Sequence, residues 1–521
     1  MSEAAKPADP PEPKVLIGSY VLESLTTGMY VEPRDAIREY VQNAFDAIEA
    51  ARSDRTLLPG EGKIEVIVNP DEPGMITIED DGASILPDLV WNTLTAIGAS
   101  RKSPRRQAGF RGIGRLAGIA YCERLEFRCK AAGYQEEVAV SYDCTAIRKA
   151  LLEATDLESV FTAHITMTRT PVPDAVAHYT KVSLIDLTIA PAELRDIGNL
   201  AAYLRVVSPL RFSDSFGDYR EQILAEARGR GMEPPTVRLF IGAGEDALDE
   251  LFKPYARATV ANKKPAPIRK ISFFDGGTVE GAKWWGWHGE TPLYGMIGDQ
   301  DVAGIRVRVK NIQLDGTDIL SRIMRNHQTS YERFQFWVLG EIFIDTLPGV
   351  LIPNARRDGF EDSPAWREMQ EQIRDALKDY IGVVYKASAA RNSKRFEKVK
   401  EQADREIEEI HTVLQTDPPA PPAPEVGNKI RAALRRVEGL TLSDYTQDQQ
   451  VELRKTTAAL RDLARQASVT LTEPKSPRAS PKPASEPEYP AYLEPVFEVL
   501  ASMLDTKLYQ SVRRAIIKRY A

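Results

Sequence analysis

The first part of the chain alternates between strand-like and helical hydrophobic patterns. Apolar positions with a strand-like character predict strands at 63–68, 74–80, 125–129, 136–143, 161–169 and 180–187. Helical spacing lies between them at 33–52, 86–97 and 192–207. Because helices interleave with hairpin-linked strands, the pattern indicates an α+β sandwich with a mixed sheet over residues 15–230, not a doubly wound fold.

A second mixed α/β unit is predicted at 235–385, after a glycine- and proline-rich boundary near 228–236. Its pattern predicts strands at 237–241, 270–274, 304–314 and 336–344 and a closing helix at 364–382. The run WWGW at 284–287 and the adjoining His288 are expected to pack in a core, because aromatic side chains of this size anchor cores and interfaces.

Beyond residue 386 the pattern is that of amphipathic helices joined by proline-rich linkers. A bundle or coiled-coil helix at 386–415 is predicted from apolar residues at three- and four-residue spacing, namely Phe396, Val399, Ala403, Ile407, Ile410 and Leu414. Linkers at 416–428 and 472–490 flank a helical segment at 429–471, and an amphipathic helix is expected at 491–521. The segment 1–14 carries four prolines and is expected to be a disordered tail, not a signal peptide.

Composition narrows the functional classes. The 521 residues are 43% hydrophobic and 27% charged, which is enough apolar material for several cores, and the net charge of −7 offers no overall basic field for nucleic acid. The three cysteines form no CxxC pair and the five histidines have no metal-ligand spacing, so neither a disulfide framework nor a zinc site is indicated. No run of ~18 apolar residues predicts a membrane span, and a cytoplasmic location is the expectation.

The helix predicted over 33–52 has two different faces. Its apolar face is formed by Ile37, Tyr40, Val41, Ala44 and Ile48. Glu39, Asn43 and Asp46 lie opposite, at i, i+4 and i+7. A solvent-exposed polar stripe explains this arrangement as well as a catalytic face does. In the catalytic interpretation, Glu39 holds a water as general base, the amide oxygen of Asn43 ligates Mg²⁺, and Ala47 leaves room for a nucleotide.

Two further motifs follow this helix. The strand at 74–80 ends at Asp80, whose carboxylate could accept a hydrogen bond from an exocyclic amine, and Gly82 would let a flat base approach the backbone, although Asp-x-Gly is also an ordinary turn signal. Gly109, Gly112 and Gly114 then form a loop before a helix that begins near Arg115, where backbone amides can cradle phosphates. No GxxxxGK[ST] sequence occurs, and the polar segment before these glycines excludes a dinucleotide-binding turn.

Together and in this order, the three motifs resemble those of the GHKL ATPases, which include gyrase-type topoisomerases, 90-kDa heat-shock chaperones, histidine kinases and mismatch-repair ATPases. The matching sequences are EYVQNAFDA at 39–47, DDG at 80–82 and GFRGIG at 109–114, and the resemblance covers roughly residues 18–215. It implies a Bergerat-type α/β sandwich that binds ATP with Mg²⁺ and hydrolyses the nucleotide to ADP and phosphate.

The resemblance also implies a role for each matching residue. Glu39 would be the catalytic base, Asn43 the Mg²⁺ ligand, and Asp80 the partner of the adenine amine. Gly82 would line the base pocket. Further contacts to the nucleotide would come from Asp46, Ala47, Lys102, Thr180 and the three lid glycines Gly109, Gly112 and Gly114. Lys102 is equally well explained as a solvated loop lysine.

Two positions depart from the family pattern. Ser84 stands where the second glycine of DxGxG is usual, and Tyr179 stands where a glycine usually precedes the late threonine, here Thr180. These departures bear on the geometry of the loops around the base, not on the existence of the site.

The branch of the superfamily is narrowed by two features. No histidine precedes His164, which disfavours the histidine kinases, whose phosphoacceptor histidine lies before the ATP-binding domain. The other branches share a second α/β domain that sends a cation to the γ-phosphate. The segment LIPNARRDGFED at 351–362 is similar to the N-x-x-R-[D/E] segment of the chaperone middle domain, which makes Arg357 the candidate sensor. Arg356 and Lys310 are the alternatives, and an exposed basic loop is the competing interpretation.

The resemblance is greatest to the 90-kDa heat-shock proteins and so implies a homodimeric, ATP-driven clamp that acts on a protein client. A nucleic-acid-associated clamp, of the mismatch-repair or chromatin-remodelling type, and a non-hydrolysing nucleotide-sensing scaffold remain open. The last helix has five cations and no acidic residue from Lys507 onwards. These cations would bind phosphates, but they also suit a helix C-terminus.

Overall fold

The structure is a computed structural model that forms two compact units, Met1–Ser388 and Ala389–Ala521. It describes residues 32–69, 71, 74–96, 114–153, 157–187, 192–245, 247–314, 318–325, 334–354, 357–416, 424–440, 445–467, 469, 497, 509 and 512–513. The predicted tail at 1–14, the linker at 472–490 and nearly all of the predicted helix at 491–521 lie outside these residues.

An eight-stranded mixed sheet forms the first part of the larger unit. Its strands are β1 (Lys63–Asn69), β2 (Met75–Asp80), β3 (Cys122–Lys130), β4 (Glu136–Asp143), β5 (Ile165–Pro171), β6 (Tyr179–Leu187), β7 (Arg238–Gly242) and β8 (Leu248–Leu251). They lie in the order β5-β4-β3-β6-β2-β1-β7-β8, and among these described strands only the pair β1–β7 is parallel. The mixed sheet and its helices confirm the predicted α+β class.

Six helices in the described residues accompany this sheet. They are α1 (Pro33–Ser53), α2 (Val90–Thr95), α3 (Cys144–Glu153), α4 (Leu157–His164), α5 (Ala192–Arg195) and α6 (Ile197–Val207), with short 3₁₀ segments at Pro87–Leu89 and Gly114–Ala120. Strand β1 alternates buried and more exposed positions, so Val66 and its neighbours two residues away reach one core. The apolar face of α1, including Ile37 and Val41, is fully buried in the same core. Helix α1 is therefore held in a fixed position beside β1 and β2.

A second domain within the same unit is built on a five-stranded sheet. The remaining elements of the unit are β9 (Ala258–Ala261), β10 (Lys264–Pro267), β11 (Lys270–Gly277), β12 (Lys283–Glu290), β13 (Gly304–Val309), β14 (Ile312–Gln313), β15 (Leu339–Ile344), α7 (Asp218–Gly229), α8 (Asp318–Arg325) and the first part of α9 (Pro364–Thr416). The sheet order is β11-β12-β15-β13-β14, with β13 and β15 parallel, and β9 pairs with β10.

The tryptophans of WWGW divide between the two faces of this sheet. Trp284 packs in a core with residues of α9 such as Ile373, whereas Trp285 and Trp287 pack in a second core with residues of α7 such as Ile223. All three indoles are at most 1% exposed. The predicted packing role of this run is confirmed.

A buried ionic cluster links the two domains. Glu341, on β15, accepts hydrogen bonds from Lys253 Nζ at 2.7 Å and from Arg308 Nε, and the side chains of all three are at most 1% exposed. Lys253 directly follows the first sheet, and Arg308 donates a further hydrogen bond to the carbonyl of Val206 at the end of α6, 2.9 Å away. Burial lowers the pKa of Lys253 to about 7, and the nearby Arg308 acts in the same direction.

The smaller unit consists of helices in the described residues. The end of α9 packs with α10 (Pro424–Glu438) and α11 (Gln447–Gln466) around one apolar core. The predicted stripe contributes to it, because Phe396, Ala403 and Ile410 are buried there. A capping box starts α11, in which Thr446 and Gln449 satisfy each other's backbone amides.

Several predicted elements differ from the structure. The strand predicted at 304–314 is a hairpin of β13 and β14, because the chain turns at Lys310 and Asn311. The strand at 237–241, assigned from sequence to the second domain, lies at Arg238–Gly242 in the first sheet, where it pairs with β1 and leaves β1 inside the sheet. Residues 161–164 belong to α4 and not to a strand, since Val160 and Phe161 are buried together at adjacent positions. The separately predicted helices at 364–382 and 386–415 form the single helix α9, because no proline interrupts residues 365–416 and the one glycine at the junction, Gly382, is tolerated.

Across the residues that the structure describes, no helix combines the length and the apolar character needed to cross a bilayer.

The ionic cluster predicts a large effect of removing its carboxylate. We expect Glu341→Gln to lower the free energy of unfolding by about 3–5 kcal/mol, because two buried cations lose their counter-charge. Five of the six tryptophans lie at or beyond residue 284, so their fluorescence during urea denaturation reports on this domain. Asp362→Asn, which alters an exposed ion pair with Arg367, should leave the denaturation midpoint unchanged. Equal midpoints for Glu341→Gln and the wild type would show that the cluster contributes no stability.

Candidate nucleotide-binding site

The two carboxylates on the polar face of α1 are buried by surrounding protein. Glu39 is 8% exposed and Asp46 is 3% exposed, while Asn43 is partly exposed. Carboxylates are rarely buried unless they have partners or a function. The interpretation of this face as a solvated polar stripe is therefore not supported.

Glu39 lies between two cations and a glycine. Its Oε1 atom is 3.7 Å from Arg357 Nε and 3.9 Å from a guanidinium nitrogen of Arg38. On the other side, Gly114 packs so closely that an added Cβ atom would lie 2.2 Å from Glu39 Oε2. Only glycine fits at position 114 while Glu39 keeps this position.

Asp80 ends β2 beside the backbone of α1. Its Oδ1 accepts a hydrogen bond of 2.9 Å from the amide of Gly82, and its side chain is buried. A Cβ on Gly82 would lie 2.5 Å from the backbone of Ala47, whose carbonyl accepts a hydrogen bond from Ala83 N at 3.0 Å. The predicted residues Asp80, Gly82 and Ala47 are thus brought together, and the small residues are needed for this close approach.

Thr180 joins the same corner from β6. It is the direct cross-strand partner of Asp80, and its hydroxyl donates a hydrogen bond of 3.3 Å to Ser84 Oγ. Ser84 therefore fills the position of the missing family glycine with a hydroxyl that contacts the threonine. His178 adds a contact of 3.2 Å between Nδ1 and the Gly82 carbonyl.

A closed turn presents Arg357 to Glu39. The backbone carbonyl of Asn354 accepts a hydrogen bond of 3.2 Å from Arg357 N. The side chain of Asn354 donates a hydrogen bond to the carboxylate of Asp358 and accepts one from the backbone amide of Asp358. Arg357 itself has φ of 58°, in the left-handed region that costs energy for most residues. The residues that carried the resemblance to the N-x-x-R-[D/E] segment are those that shape this turn.

Lys310 reaches α1 from another part of the second domain. It occupies the two-residue turn between β13 and β14 together with Asn311, with φ values of 50° and 63°, which is the geometry of a type I′ hairpin. Asn311 Nδ2 donates hydrogen bonds to the carbonyls of Leu210 and Pro235, at 3.3 and 2.9 Å, and so ties the turn to the neighbouring segments.

The ammonium group of Lys310 is buried near carboxylates of α1. Burial lowers the pKa of Lys310 to about 8, and Arg357 acts in the same direction, whereas Asp46 and Glu49 oppose the shift. Among the described residues, its Nζ atom has no hydrogen-bond partner. A buried ammonium group that lacks a hydrogen-bond partner is well suited to bind an anionic group such as a phosphate.

The side chains present fit a Mg²⁺–nucleotide more readily than a metal held by protein alone. No group of three or more His, Cys, Asp or Glu residues within the described part of the chain is arranged to hold a metal ion. A Mg²⁺ ion at Asn43 would take its other oxygens from phosphates and water, as is usual for this ion.

Four residues named from sequence cannot be placed. Lys102, Gly109, Gly112 and Arg356 lie outside the described residues. Gly114, the last lid glycine, lies within them and contacts Glu39 as described above.

The hydrogen bonds of the Tyr40 hydroxyl were not predicted from the sequence. Its ring lies in the core, as predicted, but its hydroxyl accepts a hydrogen bond from Gly118 N at 2.8 Å and donates one to the carbonyl of Arg115 at 3.1 Å. A Cβ on Gly118 would lie 2.5 Å from that hydroxyl. Tyr40 thereby fixes the 3₁₀ segment that follows the glycine motif, and tyrosine instead of phenylalanine on an apolar face was the available signal.

A comparison with protein families agrees with this geometry. Residues 31–168 match a family model described as histidine kinase-, DNA gyrase B-, and HSP90-like ATPase. The matched region begins just before α1 and includes Glu39, Asn43 and Asp80, but it ends before β6 and the second domain. No curated protein matches the chain. The family match supports assignment of the domain that contains α1 to the GHKL ATPase superfamily.

Proposed function

We propose that this chain binds ATP with Mg²⁺ against α1 and hydrolyses it, with the base supplied by the first domain and cations supplied by the second. The observation that carries the proposal is the approach of Arg357 to within 3.7 Å of Glu39, a buried carboxylate on the helix that bears the family motif. The unpartnered Nζ of Lys310, buried near Asp46, supports the same arrangement.

Each residue then has a defined part in the reaction. Glu39 accepts the proton of a water as that water forms a bond to the γ-phosphorus and the bond to the ADP oxygen breaks. Arg357 and Lys310 stabilise the charge on the γ-phosphoryl oxygens. Bound Mg²⁺, held by Asn43, would neutralise phosphate charge. Asp80 would accept a hydrogen bond from the adenine amine, and Thr180 and Gly82 would border the base.

Because the catalytic side chains come from two domains, hydrolysis depends on how these domains are positioned relative to each other. The base is on α1, whereas both cations are on turns of the second domain. A chain in which the second domain is displaced would still bind the nucleotide through α1 and β2 but would lack the cations. Turnover is therefore gated by conformation.

The resemblance extends this proposal to a homodimeric, chaperone-like clamp that closes on ATP binding and acts on a protein client. A nucleic-acid-associated clamp is the main alternative. Size-exclusion chromatography and binding to labelled duplex DNA, each with and without a non-hydrolysable ATP analogue, distinguish them. A dimer that forms with the analogue and ignores DNA fits the client-directed clamp, and analogue-dependent DNA binding contradicts it.

The assignment of the base predicts a separation of binding from turnover. We expect Glu39→Gln to bind ATP nearly as well as the wild type and to lose turnover by about 10²–10⁴-fold, because the amide cannot accept the proton of the attacking water. A steady-state ATPase assay beside a nucleotide titration measures both. Glu245→Gln, at an exposed carboxylate, is the control and should behave as wild type. Full turnover in Glu39→Gln would place the base elsewhere, and no turnover in the wild type would favour the non-hydrolysing scaffold.

The assignment of Asp80 predicts a loss of affinity. Asp80→Asn should bind ATP about 10–100-fold more weakly, since one hydrogen bond to the adenine amine is replaced by a donor facing a donor. Discrimination against GTP should fall as well. The adjacent Asp81, whose carboxylate accepts from Lys63 N, offers the control Asp81→Asn. An unchanged dissociation constant for Asp80→Asn would show that the adenine does not bind beside Asp80.

The two candidate sensors predict slow turnover with intact binding. We expect Arg357→Ala and Lys310→Ala each to keep near-normal ATP affinity and to lose turnover, by about 10²–10³-fold for the residue that contacts the γ-phosphate. Arg367→Ala, on the exposed start of α9, is the matched control. If only one of the two variants is slow, that residue is the sensor. Wild-type turnover in both would show that the second domain supplies no catalytic cation.

A further inference from the structure

A second cavity lies in the second domain, between the edge of its sheet and α9. It measures about 420 Å³, which is within the range of small-ligand sites, and it is lined by residues of β11, β12 and α9. The side chains that matter are Ser272, Phe274, His288, Glu290, Asp379 and Tyr380. None of them belongs to the proposed nucleotide site.

Aromatic rings form one wall of this cavity. The rings of His288 and Tyr380 stack with centroids 4.1 Å apart and planes inclined by 24°. Phe274 is a further aromatic neighbour of His288, with ring centroids 6.0 Å apart. Stacked, nearly parallel rings favour a flat group over a compact one.

His288 contributes an unused polar atom. Its side chain is 7% exposed, and its Nδ1 atom has no hydrogen-bond partner among the described residues. Burial is the main cause that lowers the pKa of His288 to about 4, so the imidazole is neutral at neutral pH. A neutral imidazole accepts a hydrogen bond through one ring nitrogen.

The charged side chains of the lining, Glu290 and Asp379, are both acidic. Glu290 accepts a hydrogen bond of 2.6 Å from Ser272 Oγ, and Asp379 is exposed on α9. Within the described part of the chain, no lysine or arginine lines the cavity, although Lys270 Nζ lies 3.6 Å from Glu290. The described residues hold no metal-binding group of His, Cys, Asp and Glu, so a bare metal ion does not fit.

We propose that this cavity binds a guanidinium group, which stacks on the His288–Tyr380 wall and donates hydrogen bonds to Glu290, Asp379 and His288 Nδ1. A guanidinium is flat, carries five N–H donors and a positive charge, and stacks on aromatic faces. An ammonium has the charge but not the planar shape. The lining offers hydrogen-bond acceptors, negative charge and aromatic rings. These match the donors, the positive charge and the planar shape of a guanidinium group.

The group would be carried by a free small molecule or by an arginine of an extended segment. The second source has support from the sheet, because β11 is its edge strand in the described residues and has one side without a strand partner. An added strand would bring alternate side chains to the cavity beside Ser272 and Phe274.

Calorimetric titration of the full chain tests the proposal. The probes are N-acetyl-arginine amide, N-acetyl-citrulline amide, which has the same shape without the charge, and a capped hexapeptide with one central arginine. We expect the arginine probe to bind at least ten-fold more tightly than the citrulline probe. A hexapeptide that binds more tightly than the single residue identifies a peptide source, and equal affinities identify a small molecule.

Variants locate the site. Glu290→Gln and Tyr380→Leu should each weaken the arginine probe at least ten-fold, while Glu280→Gln, at an exposed carboxylate in the turn between β11 and β12, should not. Because Tyr380→Leu alters a buried ring, Glu290→Gln, which keeps the side-chain shape, is the deciding variant, and circular dichroism verifies its fold. The proposal fails if arginine and citrulline bind equally, if neither binds, or if Glu290→Gln binds the arginine probe as the wild type does.

Discussion

A single buried carboxylate, Glu341, holds the two domains of the larger unit in register. Its two partners come from different places, since Lys253 follows the first sheet and Arg308 belongs to the second. Arg308 also donates to the carbonyls of Val206 and Asn311, so the hairpin turn that carries Lys310 is fixed from its base. A buried cluster of this kind is costly to desolvate and of little use as a source of net stability, but it specifies one arrangement. The position of Lys310 against α1 depends on it.

Close backbone packing on α1 imposes the second constraint. Gly82 and Gly114 approach the helix so closely that a methyl group at either position would overlap Ala47 or Glu39. Both glycines let neighbouring backbone pack directly against this helix. Together with the Tyr40 hydroxyl, which accepts a hydrogen bond from Gly118 N, they hold the neighbouring segments against α1 at the candidate site. The burial of Glu39 and Asp80 limits the conformations open to these two side chains, which lowers the cost of ordering them in the proposed reaction.

Much of the first domain could be predicted from sequence, because local periodicity determines α1 and most of its strands. The burial of Glu39 could not, since it depends on Arg357 and on packing more than 300 residues away along the chain. The position of β7 in the first sheet could not be predicted either, because its parallel pairing with β1 is a long-range contact that leaves no local pattern in the sequence. Asn354 and Asp358 were recognised as a motif, but their turn geometry emerged only from the structure. The sequence named Arg357 and Lys310 as alternatives, and the structure brings both towards α1.

In the proposed mechanism, the two domains of one chain supply the two sides of a single ATP site. A crystal structure of the full chain with Mg²⁺ and a non-hydrolysable ATP analogue tests it most directly. We predict that the adenine amine lies within hydrogen-bond distance of Asp80, that Mg²⁺ is bound to the side-chain oxygen of Asn43, and that Lys310 or Arg357 of the same chain contacts the γ-phosphate. A nucleotide bound away from α1, or a γ-phosphate contacted by neither cation, would contradict the account.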